Sequence, residues 1–210
     1  MSMTAPGQSA DAAAPPDSAA PVRVGVIVLA RHGRPDVDRR VNLTWREYVD
    51  WWDGYDASAL APGQVPPEAL LRAAAESDVI FASSLARARA TAEAVAGGRP
   101  VIADPVFVEA RLPPPPLPGR RRPGYWGVLA RVSWWFGFSG GQETRAQAEL
   151  RAEAAVATLA ARALRGENVL MCGHGWFNRM MRPVLKAQGW RCVRDGGDVY
   201  WSYRTYEKLR

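Results

Sequence analysis

The chain has 210 residues, 48% of them hydrophobic, and a formal charge of +6. That is enough apolar material for one sizeable core, so one domain with embellishments is expected. No apolar run approaches the ~18 residues that would cross a bilayer, which argues against a transmembrane helix. The two cysteines, Cys172 and Cys192, form neither a disulfide framework nor a metal-ligand spacing, so a reducing cytoplasm is the expected compartment.

Residues 1–21 contain Asp11 and Asp17 but no Lys or Arg and no long apolar core. They read as a flexible Ala/Pro-rich tail rather than a secretory signal. Without the two tail aspartates, residues 22–210 carry +8, which favours an anionic partner. Of the 27 basic residues all but Lys186 and Lys208 are arginine. Base composition accounts for that bias as a whole, so the places of individual arginines carry more information than their number.

Val22 to Ala30 reads as a strand buried on both faces, the kind found in parallel sheets. Thr44 then opens the helical pattern "TWREYVDWWDG", with an end expected at Gly54 and its aromatics expected to pack. Pro66 to Glu76 is a second helix, Asp78 to Ser83 a short strand, and Ser84 to Gly98 an Ala-rich helix stopped by glycines. "PVIADPVFVEA" supplies a strand and a loop. A long helix from Gln142 to Arg165 precedes a strand from Asn168 to Cys172, a helix from Trp176 to Gln188 and a last strand near Val199 to Tyr206. Strands alternating with helices predict an α/β domain over 22–210 with a mostly parallel sheet.

One segment breaks the rhythm. From Ala110 to Gln142 there are five arginines, a proline run and six aromatics, but no acidic residue. This excursion, at about 110–141, has three readings: a proline-stiffened loop and helix packed on the domain, a lid over the active site, or a membrane or partner surface.

The polar residues collect where strands end. "VGVIVLARHGRP" breaks from apolar residues into Arg31, His32, Gly33 and Arg34, while "NVLMCGHGWF" ends on the other histidine of the chain, His174, again followed by glycine, Gly175. Ligands of open α/β sheets sit beyond the carboxyl ends of strands. Glycine there lets backbone approach a ligand, and a following helix directs free N–H groups at an anion. Arg87 opens the helix after another strand, which puts a further cation at the same rim. Such a cluster suits a multiply charged anion, and phosphate matches the guanidinium fork.

"ARHGR", "SSLARARATAE" and "CGHG", in that order, resemble the three signatures of the histidine phosphatase superfamily, also called the phosphoglycerate mutase-like family, over Val22 to Met180. The resemblance implies a three-layer α/β/α sandwich and a hydrolase that needs no metal or cofactor. It makes His32 the phosphorylated nucleophile, with Arg31, Arg87 and His174 holding phosphoryl oxygens. It also calls for an acidic proton donor after the Arg-bearing helix; Glu109 fits that place and Asp104 is the alternative. After His32 the chain departs from the family pattern, having Arg34, Pro35 and, where asparagine is usual, Asp38. Arg34 is expected to compensate as a phosphate contact, and Ser84 either donates another hydrogen bond or caps its helix.

The leading expectation is therefore a phosphomonoesterase acting on a small phosphorylated substrate. Its rivals are a mutase that returns the phosphoryl group to a bound intermediate, and a phospho-ligand binding module without catalysis. Arg120 to Arg122 suggest more than one negative charge on the substrate, and the tryptophans an apolar or aromatic leaving group. A nucleic-acid partner is not expected, since no RNA-binding motif accompanies the arginines.

Overall fold

The computed structural model describes Met1 and residues 23–209; apart from Met1, the expected tail over 1–21 lies outside the described residues. The strands are β1 (Ile27–Arg31), β2 (Val79–Ser83), β3 (Val101–Asp104), β4 (Val169–Gly173), β5 (Trp190–Asp195) and β6 (Tyr203–Lys208). The α-helices are α1 (Trp45–Ala57), α2 (Glu68–Ala75), α3 (Ala86–Ala96), α4 (Pro123–Trp135), α5 (Arg145–Ala163) and α6 (Gly175–Ala187). They build one mixed sheet in the order β3-β2-β4-β1-β6-β5. The four strands from β3 to β1 run parallel; β6 and β5 add an antiparallel edge.

The layering follows from side-chain alternation along buried strands. In β4, Val169 and Met171 join a core made with α5 and α6, including Leu159, Phe177 and Leu185. Leu170 and Cys172 point the other way, into a core with Leu70 of α2 and Val95 of α3. β1 and β2 divide in the same manner, giving the α/β/α sandwich. The α1 start is set locally: the Thr44 side chain accepts from Glu47 N–H while Glu47 reaches back to Thr44 N–H, a reciprocal cap of two otherwise free donors.

Several boundaries differ from the sequence reading, among them those of α1, the first strand and the last strand. α1 continues through Gly54 to Ala57, because Tyr55 is buried and pulls one more turn into the fold. The first strand begins at Ile27, since Gly25 N–H bonds to Ala163 O and Val26 N–H to the Asn168 side chain. The last strand starts at Tyr203, after a turn in which Trp201 has φ 64°. Its partner β5 had no visible signal: all of it but Trp190 is exposed, so no apolar alternation marks it, and a bulge between Cys192 and Arg194 breaks its register.

Candidate active site

Parallel register assembles the centre. Arg31 of β1 lies opposite Gly173 of β4, so the next residue, His32, sits beside His174 and donates its backbone N–H to Gly173 O at 2.9 Å. The two imidazole centroids are 5.1 Å apart. The glycines after them make room for protein as much as for ligand. A Cβ on Gly33 would stand 2.4 Å from the Trp201 ring, and one on Gly175 3.1 Å from Arg31 Nε.

His32 is buried, with Nδ1 2.7 Å from Gly33 O. That carbonyl can only accept, so Nδ1 carries the proton and Nε2 keeps its lone pair. Arg87 Nε lies 3.4 Å from Nε2. Burial, then the charges of Arg87 and Arg31, holds the His32 pKa well below the usual histidine value, so the ring is neutral at pH 7. Burial and the same arginines also depress His174. Its Nε2 is 2.8 Å from Ser83 Oγ, and its Nδ1, like Arg31 Nε, is buried without a partner among the described residues.

Arg87 is fully buried, and its charge has a partner that the sequence did not show. Asp56, at the end of α1, accepts from Nη1 and Nη2 at 3.2 Å, Tyr55 O accepts from Nη1 at 2.9 Å, and the Tyr55 ring lies under the guanidinium at 4.2 Å. A buried arginine without such neighbours would be costly. Thr91, one turn along α3, accepts from Gly33 N–H and donates to Arg87 O, so it couples the His32 loop to the arginine helix.

Glu109 sits at the amino end of α6, where Phe177 N–H donates to it at 2.8 Å and Trp176 N–H at 3.3 Å. Burial raises its pKa above the usual carboxylate value, against the pull of Arg87 and those two N–H groups. Asp104 is elsewhere engaged: its carboxylate caps the 3-10 turn Pro105–Phe107 by accepting from Val106 N–H.

A cavity of about 400 Å³ opens on this centre. Arg31, His32, Glu109 and Gly175 line it, while Arg87 and His174 lie directly against His32 as part of the buried floor. Arg34 and Ser84 do not reach it. Arg34 is exposed, its backbone tied to Gln64, and Ser84 is an exposed bend residue that neither caps α3 nor bonds to His174, the role its neighbour Ser83 fills. Arg39, Arg131 and Arg179 supply the cavity's other cations. The run from Arg120 to Arg122 stays outside it: Arg120 pairs with Glu47 at 3.0 Å, Arg121 donates to Pro118 O, and Arg122 precedes α4.

Two helices cover the centre. α1 contributes Tyr48, Trp51, Trp52 and Tyr55, and α4 contributes Pro123, Gly124, Gly127, Val128 and Arg131. The α1 aromatics therefore wall the cavity as well as packing on one another, Trp51 stacking between Tyr48 and Tyr55 at 5.6 and 5.3 Å. Their spacing of three and four residues was legible; the surface they face was not. Backbone bonds between Leu43 and Arg121, and Trp126 Nε1 donating to Leu43 O, clamp the two helices together. On the opposite rim Arg31 donates to Asp198 O and stacks on Tyr200 at 4.5 Å, while Arg39 reaches the Tyr200 hydroxyl at 2.6 Å. Burial opposes ionisation of Asp198, but hydrogen bonds from Arg179, Arg182 and Arg204 win and hold its carboxyl well below the usual range.

The chain belongs to the histidine phosphatase superfamily (branch 1), whose family model matches residues 27–191. Among solved structures it is similar to a mycobacterial hydrolase, at 19% identity and a TM-score of 0.57 over 87% of this chain and 90% of that one. A mycobacterial glucosyl-3-phosphoglycerate phosphatase shares 20% identity, with a TM-score of 0.50 over 78% of this chain and 80% of that one. A phosphoserine phosphatase from Entamoeba histolytica shares 16%, with a TM-score of 0.52 over 86% and 89%. At these identities the likeness is one of fold. No curated protein matches the chain.

Proposed function

We propose that the protein is a phosphomonoester hydrolase that works through a phosphohistidine on His32, without a metal ion. The observation that carries this reading is the geometry of His32: its Nδ1 proton is committed to Gly33 O at 2.7 Å, and its Nε2 has only a long contact, 3.4 Å, from the Arg87 Nε–H beside it; burial, which lowers the His32 pKa, supports a neutral ring. In the first step Nε2 attacks phosphorus, an N–P bond forms, and the ester P–O bond breaks as Glu109 gives its proton to the leaving oxygen. In the second, water attacks phosphorus and passes a proton to Glu109. The N–P bond breaks, and phosphate and neutral His32 are restored. Arg31, Arg87 and His174 stabilise the charge on the transferring oxygens, the part that Mg²⁺ takes in kinases.

The phosphatases among the fold neighbours support hydrolysis over transfer to a second alcohol. That Glu109 and His32 line one cavity supports catalysis over mere binding of a phospho-ligand. The α1 aromatics suit a leaving group that is apolar or aromatic, and Arg39 and Arg131 suit a further negative charge on it.

The test is turnover of p-nitrophenyl phosphate in excess EDTA. Activity is expected to persist; loss on chelation, restored by Mg²⁺ or Zn²⁺, would overturn the metal-free mechanism. On the same substrate Arg87→Ala should lower kcat/KM by at least about tenfold, the worth of one charge-assisted contact in a desolvated site. An unchanged value removes Arg87 from the reaction.

A further inference from the structure

α4 is apolar all round, yet only one of its sides is buried. Trp126, Gly127, Ala130 and Trp134 face the protein, whereas Tyr125, Val128, Val132, Trp135 and the following Phe136 are exposed, Tyr125 by 70% and Phe136 by 85%. These five stand three, four, three and one residues apart, one continuous stripe on a helix. In α4 the charged side chain is Arg131, which turns to the cavity, and the Ser133 hydroxyl is spent on Leu129 O and Ala130 O. A helix of this kind is ordinarily covered.

The surroundings say what covers it. From Ala110 to Gln142 the chain has five arginines and no carboxylate; Asp53 and Glu47 answer Arg111 and Arg120 from outside the segment. Arg121 and Arg122 lie at the amino end of α4, and among the described residues no carboxylate pairs with either. Arg145 stacks on Trp135 at 3.7 Å while pairing with Glu149 at 2.7 Å. Aromatic and aliphatic groups flanked by guanidinium groups match the boundary between acyl chains and anionic headgroups. A second copy of the chain would bring its own Arg121 and Arg122, likewise without a carboxylate, to the same face, which opposes isologous pairing.

We propose that the outward face of α4 adsorbs to an anionic lipid surface. Val128 and Gly124 belong to this helix and also line the cavity, so adsorption sets the cavity mouth beside the headgroups. The contact is peripheral: no helix among the described residues is long and apolar enough to cross a membrane.

The experiment is co-sedimentation of the full chain with phosphatidylcholine vesicles made with or without phosphatidylglycerol. Wild type is expected to pellet with the anionic vesicles and to be released by salt. Val132→Gln with Phe136→Ser, both exposed and neither lining the cavity, should weaken binding at least about tenfold. Arg122→Ala, at an exposed position outside the clamp, should weaken it about fivefold on anionic vesicles alone. Turnover of p-nitrophenyl phosphate in solution stays unchanged in all of them, which separates this surface from the catalytic reading. Three results would overturn the proposal: no pelleting with anionic vesicles, equal pelleting of the apolar double variant, or a wild-type dimer in light scattering that the same double variant dissociates.

Discussion

Replacing His32 with alanine is expected to abolish turnover and phosphoenzyme formation together, with kcat falling by about four orders of magnitude or more. The size of the loss follows from the geometry. Just one other histidine exists in the chain, His174, and its Nε2 is engaged by Ser83 Oγ at 2.8 Å, whereas His32 Nε2 has only the longer Arg87 contact at 3.4 Å. The readout is acid-quenched phosphohistidine after rapid mixing with an aryl phosphate, beside steady-state release of the phenolate. Trapped phosphohistidine in His32→Ala would make His174 the nucleophile and reverse the assigned roles. His32 is buried, so the variant's urea midpoint should be measured too. A stability change without loss of phosphoenzyme would give His32 a structural role only.

The second large effect concerns Glu109 and depends on the leaving group. An alkoxide needs a proton to depart, whereas nitrophenolate leaves unprotonated. Glu109→Gln should therefore slow release of an alkyl alcohol by about 10²-fold or more, the usual worth of a general acid, and leave aryl release nearly intact. Glutamine keeps an oxygen that can accept from Phe177 N–H, where the carboxylate accepts at 2.8 Å, so the local fold is retained. The pH dependence has a definite sign. Burial raises the Glu109 pKa, so the acid form persists above the usual carboxylate range, and alkyl ester turnover is lost as pH rises through that raised value. In Glu109→Gln that basic limb should disappear. Equal small losses on both esters, or a limb that survives the substitution, would assign the proton to another group.

What could be read from the sequence was whatever lies within a few residues along the chain. An apolar run ending in Arg-His-Gly, another ending in His-Gly, and an arginine in the first turn after a third strand are local patterns. The sheet's parallel register converts each into a position at one rim, so His32, His174 and Arg87 meet. Glu109 belongs with them because the strand before it also ends at that rim. The layered order of strands and helices was legible for the same reason: buried parallel strands announce themselves as unbroken apolar runs. β5 was not legible, since an edge strand exposed along nearly its whole length has no pattern to show.

The sequence by itself determined the family, the alternation of strands and helices, and the residues at the strand ends, because each depends on near neighbours. Tertiary structure alone decided which charges answer one another across long separations. Asp56 meets Arg87 from another helix, Asp198 gathers three arginines, and Arg39 rather than Arg34 reaches the cavity. It also decided that Ser83, pointing from the end of β2, holds His174, while Ser84 turns to solvent. An amphipathic spacing specifies that a helix has a face but not what that face meets. So the α1 aromatics became a cavity wall, and α4 was left with an apolar side uncovered, only when the chain had folded around them.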